Sequence, residues 1–185
     1  VTARLESMGI ESYLVEVGGE VRCRGKKSNG APWKTGIRRP IPGRGEIVEA
    51  VVLDSRSIAT SGDYENFVLI DGVSYSHTID PKTGFPIQNG LTSVSVVADD
   101  CMTADALATA VSVLGHQKGE DLVKSMGGTL FTITRSNGQF LEQWSTNFPL
   151  TTHKEPEPAP FWGLLLAGFV IFGVAIVAMS VGVIF

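Results

Sequence analysis

Cysteine is nearly missing from this chain, with only Cys23 and Cys101 among 185 residues. They make neither a CxxC pair nor any zinc-ligand spacing, which argues against a zinc site. They read as two small buried thiols, and a disulfide between them stays open. Basic runs are missing as well. The formal net charge is −4. The pair Arg38-Arg39 and the group Arg22, Arg24, Lys26 and Lys27 are too small to grip a phosphate backbone. They read as solvated strand ends, and no nucleic-acid partner is expected. There is no initiator methionine before Val1 and no signal peptide. The chain stops at Phe185 within or at the edge of an apolar run. Both ends are expected to be cut from something longer.

Charge is absent altogether from Phe161 to Phe185. That run is about the ~20 residues a helix needs to cross the hydrocarbon core of a bilayer. Phe161 and Trp162 stand at its start, where aromatic rings favour the interface. With no polar face to meet water, it predicts a transmembrane helix rather than a buried soluble one. The preceding flank has Glu155 and Glu157 against Lys154. This lack of positive charge favours that side lying outside the cytoplasm. Residues 148–160 read as a polar, proline-containing linker, and residues 1–147 as the folded domain.

Within residues 1–147 the pattern is mixed. Thr2 to Met8 reads as a helix stopped by Gly9. Strands are predicted at Tyr13–Val17, Glu20–Arg24, Trp33–Arg38 and Ile47–Leu53, then Asn66–Ile70 and Val73–His77 about an Asp71-Gly72 turn. Leu91–Ala98 follows as a strand. Cys101–Leu114 has a helical period, with Asp99 or Asp100 as its cap and Gly115 as its stop. Lys118–Met126 reads as a second helix. Thr129–Thr134 and Gln139–Glu142 read as a closing hairpin. Runs of strands without strict alternation with helices predict an α+β fold.

Three stretches can carry chemistry. In Ser76-His77-Thr78-Ile79-Asp80-Pro81-Lys82-Thr83-Gly84, a histidine ends a strand and enters a tight turn. His77 suits a general base near neutral pH, or it is a strand-end histidine beside a turn that Asp80 stabilises. In Thr103 to Thr109, Asp105 and Thr109 are four apart and share a helical face. A carboxylate with a hydroxyl is hard-oxygen chemistry that suits Mg²⁺; otherwise Asp105 serves the helix dipole and Thr109 is buried. Ala59-Thr60-Ser61-Gly62-Asp63-Tyr64 reads as a small-residue loop whose backbone can approach a ligand. No G-x-S-x-G elbow surrounds Ser61, so it is not read as a nucleophile. Gly18-Gly19 allows a similar approach or marks a bulge.

The ordered motifs Val-Gly-Gly-Glu (17–20), Trp-Lys-Thr-Gly-Ile (33–37), Ala-Thr-Ser-Gly-Asp-Tyr (59–64), Ser-His-Thr-Ile-Asp-Pro-Lys-Thr-Gly (76–84) and Ala-Asp-Ala-Leu-Ala-Thr-Ala (104–110) resemble the ApbE family of FAD:protein FMN transferases. The resemblance covers about residues 1 to 145. It implies a strand-rich, T-fold-like domain, of which this chain is the carboxy-terminal half. It also implies FAD as FMN donor, Mg²⁺ as metal, and a threonine or serine of an acceptor protein as target, with AMP released. By the same resemblance His77 is the base, Asp105 and Thr109 are metal ligands, and Ile79 is a flavin contact. Gly18, Gly19, Ser61 and Gly62 are expected to meet the cofactor. Family members carry a further half ahead of the segment matching Val1, with more of the FAD pocket and another metal contact.

The tail from Phe172 to Phe185 resembles the membrane helix of NqrM, a maturation factor of the sodium-pumping NADH:quinone reductase. This implies flavinylated subunits of that complex as acceptors. It also implies a single-pass protein of the bacterial inner membrane with its soluble domain in the periplasm. An Mg²⁺-dependent FAD pyrophosphatase and a non-catalytic, membrane-tethered flavin-binding or assembly module are the competing expectations.

Overall fold

The structure is a computed structural model and describes residues 1–43, 45–63, 67–71 and 73–151. Its frame is an antiparallel sheet of six strands in the order β1-β2-β5-β8-β9-β10. These are β1 (Tyr13–Val17), β2 (Glu20–Arg24), β5 (Ser57–Gly62), β8 (Leu91–Ala98), β9 (Thr129–Ser136) and β10 (Gln139–Trp144). Two hairpins stand outside this sheet: β3 (Trp33–Arg38) with β4 (Ile47–Leu53), and β6 (Phe67–Ile70) with β7 (Val73–Ser76). The helices are α1 (Thr2–Ser7), α2 (Cys101–Leu114) and α3 (His116–Ser125). The α+β class expected from the sequence is therefore the class observed.

Period-two alternation splits the central strands between two cores. Ala59, Val94, Val96 and Leu130 pack with Ala104, Leu107, Ala108 and Val111 of α2. Val21, Ile58, Val97, Phe131 and Ile133 pack with Ile37, Val51 and Leu53 of the β3–β4 hairpin. The neighbours Val96 and Val97 thus serve opposite faces. Ala59, Ala104 and Ala108 are almost wholly buried. Small side chains at these positions let α2 lie close over β5.

α2 begins where its sequence says it should. The Asp100 carboxylate accepts from the Thr103 backbone N–H at 2.8 Å and from the Thr103 hydroxyl at 2.9 Å. This satisfies a donor that the first turn would leave open.

The sequence placed Ser61 and Gly62 in a loop, and the structure corrects this. Ser57–Gly62 is a central strand, paired along its length with β8. Alanine, serine and glycine carry little strand preference, so the ladder with β8 and the packing of Ala59 under α2 hold the conformation. A second difference concerns Phe148 to Thr151, which composition assigned to the linker. Phe148 is buried against Phe131. Val52 N–H donates to the Pro149 carbonyl at 2.9 Å, and Thr151 N–H donates to the Ala50 carbonyl at 2.8 Å. These residues add a short strap along β4. α3 starts at His116 rather than Lys118.

Cys23 is buried, Cys101 is partly exposed, and both are free thiols. Among the described residues no helix is long and apolar enough to cross a membrane. The membrane helix expected at 161–185 lies outside the described residues.

Candidate active site

Ser61 closes β5 on the face that meets α2. Its Oγ lies 3.2 Å from the Thr109 Oγ1. Asp105 stands one turn earlier on α2 and is exposed, as is Thr109. The helical spacing read from the sequence therefore presents a carboxylate and a hydroxyl side by side, and the sheet adds a second hydroxyl.

Gly18 and Gly19 form the two-residue turn between β1 and β2, with Val17 paired to Glu20. Their φ values of +68° and +108° are open to glycine and strained for other residues. The double glycine is a hairpin turn rather than a bulge. Its flanking residues Val17 and Glu20 share an open cleft of about 650 Å³ with Arg22, Asp100, Met102 and Asp105.

His77 follows β7 and is exposed. The loop after it is held by its own bonds. Ile87 N–H donates to the Thr78 carbonyl at 3.0 Å, Asp80 N–H to the Phe85 carbonyl at 2.9 Å, and Lys82 N–H to the Asp80 carboxylate at 2.8 Å. Ile79 bridges Pro86 and remains 48% exposed. This is a fixed turn presenting an apolar side chain near the histidine. Ser76 and Thr78, on either side of His77, line one small pocket with Ser61, Gly62 and Asp63. The histidine turn and the end of β5 therefore meet.

Two contributors were missed in the sequence. Asp63 is half-buried, and burial pushes its carboxyl above the usual range, against the pull of its own backbone N–H, of His77 and of Arg135. Nothing in the linear pattern marks that burial. Arg22 was read as a solvated strand end. It instead donates to the Asp99 carbonyl and to Ser57 Oγ, and it places a cation in the cleft beside Asp105. The alternation that puts Glu20 and Arg22 on one face was the available signal.

The donor set fits Mg²⁺. It comprises one carboxylate and hydroxyl oxygens, all hard ligands. Among the described residues no group of three or more His, Cys, Asp or Glu side chains gathers. Mg²⁺ commonly takes one or two carboxylates from a protein and completes its shell with water and substrate phosphate.

Known proteins place this architecture. A FAD:protein FMN transferase of Vibrio cholerae is 42% identical over 144 residues, covering 78% of this chain and 43% of that protein. One from Haemophilus influenzae is 39% identical over 157 residues, covering 84% and 45%. The solved flavin transferase ApbE from Vibrio cholerae superposes with a TM-score of 0.68 at 40% identity, covering 80% of this chain and 46% of that one. The apo flavinyl transferase ApbE of Pseudomonas stutzeri gives 0.67 at 39%, covering 78% and 45%. The chain thus spans less than half the length of these relatives. Residues 1–132 match the ApbE family, and with these identities and this fold the chain belongs to it.

Proposed function

We propose that the chain forms the carboxy-terminal half of an FAD:protein FMN transferase. The observation that carries this reading is the contact of Thr109 with Ser61 near the end of β5, with Asp105 one turn earlier on α2 and the His77 turn against the same strand end. In the reaction, the acceptor hydroxyl oxygen attacks the FMN phosphorus of FAD. The bond from that phosphorus to the bridging oxygen breaks, and AMP leaves with that oxygen. His77 takes the proton from the acceptor hydroxyl. Asp105 and Thr109 would hold Mg²⁺, which would supply charge neutralisation at the pyrophosphate. Arg22 adds positive charge at the cleft. Ile79 offers an apolar contact to the flavin, and the Gly18-Gly19 turn and the Ser61-Gly62 backbone flank the donor.

The acceptor is proposed to be a flavoprotein subunit of the kind found in the sodium-pumping NADH:quinone reductase. The uncharged run from Phe161 to Phe185 supports an NqrM-like single-pass anchor in the bacterial inner membrane, with residues 1–147 in the periplasm.

The test incubates the full-length protein with FAD, Mg²⁺ and an acceptor domain bearing the target threonine. The expected result is an acceptor heavier by one FMN, lost in His77→Ala and Asp105→Ala. Free FMN and AMP without a labelled acceptor would replace this reading with a pyrophosphatase. Neither product would leave a flavin-binding or assembly module.

A further inference from the structure

Thr109 has a hydroxyl with one proton and two lone pairs. On a helix such a hydroxyl commonly turns back to the carbonyl four residues earlier. Ser112, on the same helix, does this and donates to the Ala108 carbonyl at 3.0 Å. Thr109 instead turns its hydroxyl away from its own helix to Ser61 Oγ, 3.2 Å away on β5. The distance alone leaves the direction of that bond open. A cation on Thr109 Oγ1 takes one lone pair of that oxygen and turns its proton away from the metal, and Ser61 Oγ is within reach to accept it.

We propose that Ser61 is a positioning residue for the metal site: its hydroxyl accepts the Thr109 proton and aims a Thr109 lone pair at Mg²⁺. The inference rests on the metal reading of Asp105 and Thr109 above and extends it to the sheet. Its basis is the fold. Ala59 on β5, with Ala104 and Ala108 on α2, keeps strand and helix close enough for two short side chains to touch. An alanine at Ser61 would leave Thr109 free to turn back on its helix. A threonine there keeps the acceptor and suits a strand.

The experiment titrates Mn²⁺ into the full-length protein with ADP present as the pyrophosphate-bearing probe, and counts free Mn²⁺ by its paramagnetic resonance signal. Ser61→Ala is expected to weaken Mn²⁺ binding by about ten- to a hundred-fold, the range for partners that orient a ligand, while Ser61→Thr restores it. Asp105→Ala separates the two levels of the argument. If it abolishes binding and Ser61→Ala binds like the wild type, the role of Ser61 is overturned and the metal site stands. If Ser61→Ala weakens binding and Ser61→Thr fails to restore it, a packing role replaces the positioning role. No Mn²⁺ binding by the wild type, or binding indifferent to Asp105→Ala, overturns the metal reading and this inference with it.

Discussion

Two aspartates, Asp100 at the cleft and Asp63 in the small pocket by the histidine turn, are pushed in opposite directions by their surroundings. The Asp100 carboxyl is held below its ordinary range by the backbone N–H and hydroxyl of Thr103. A depressed folded-state value gives stability that is present above the unfolded value of about 3.9. That stability is lost as the pH falls through the folded value. Asp100→Ala is therefore expected to cost about 1 kcal/mol in urea unfolding at pH 7, with the difference shrinking as the medium becomes strongly acidic. Asp63 has the opposite sign. Burial raises its folded value, so its contribution is intact below the unfolded value and is lost as the pH rises through the folded one. Asp63→Asn is expected to be more stable than the wild type at pH 7 and nearly equal to it at pH 3. The same difference at both pH values would remove burial as the cause. The sequence narrowed the cap to Asp99 or Asp100, because capping depends on near neighbours, and the structure selects Asp100. It left Asp63 without a role, because its burial depends on β8 and on the turn after β7.

Elements were legible where one period ran long enough to be read. α2 carries apolar residues at helical spacing, and β8 is rich in valine, so both emerged from pattern alone. β5 did not. Apart from Ile58, its residues Ser57 to Gly62 are small or hydroxyl-bearing, and pairing with β8 together with the packing of α2 holds them extended at the centre of the sheet. The same closeness governs the contact of α2 with α3. A Cβ on Gly119 would lie 2.6 Å and 2.8 Å from the two methyl carbons of Val111. In an exposed helix, glycine to alanine gains about 1 kcal/mol. Here overpacking costs about 1–3 kcal/mol and outweighs that gain. Gly119→Ala is expected to lower the thermal midpoint. A rise would mean that the two helices separate without cost.

At the scale of the molecule, the strap from Phe148 to Thr151 closes the second core. Phe148 meets Phe131, which also stacks on Trp144. Phe148→Ala is expected to cost about 3–5 kcal/mol, read by urea unfolding. A loss below ~1 kcal/mol would return these residues to the linker that proline and charge had suggested. Composition marks such a boundary only coarsely, since one phenylalanine and four backbone groups are enough to move it.

The pairing of β5 with β8 has a consequence in time. The hairpins β1–β2, β3–β4, β6–β7 and β9–β10 each join neighbours in the chain and need only short loops to close. β5 meets β8 only after the intervening histidine turn has been enclosed, with Ser57 opposite Ala98 and Gly62 opposite Ser93. Distant pairings are slow because loop entropy is lost before contacts repay it. Ser61 and Thr109 can touch only once that joint has formed and α2 has settled over it. The oxygens of the site thus wait on a pairing that local turns cannot supply.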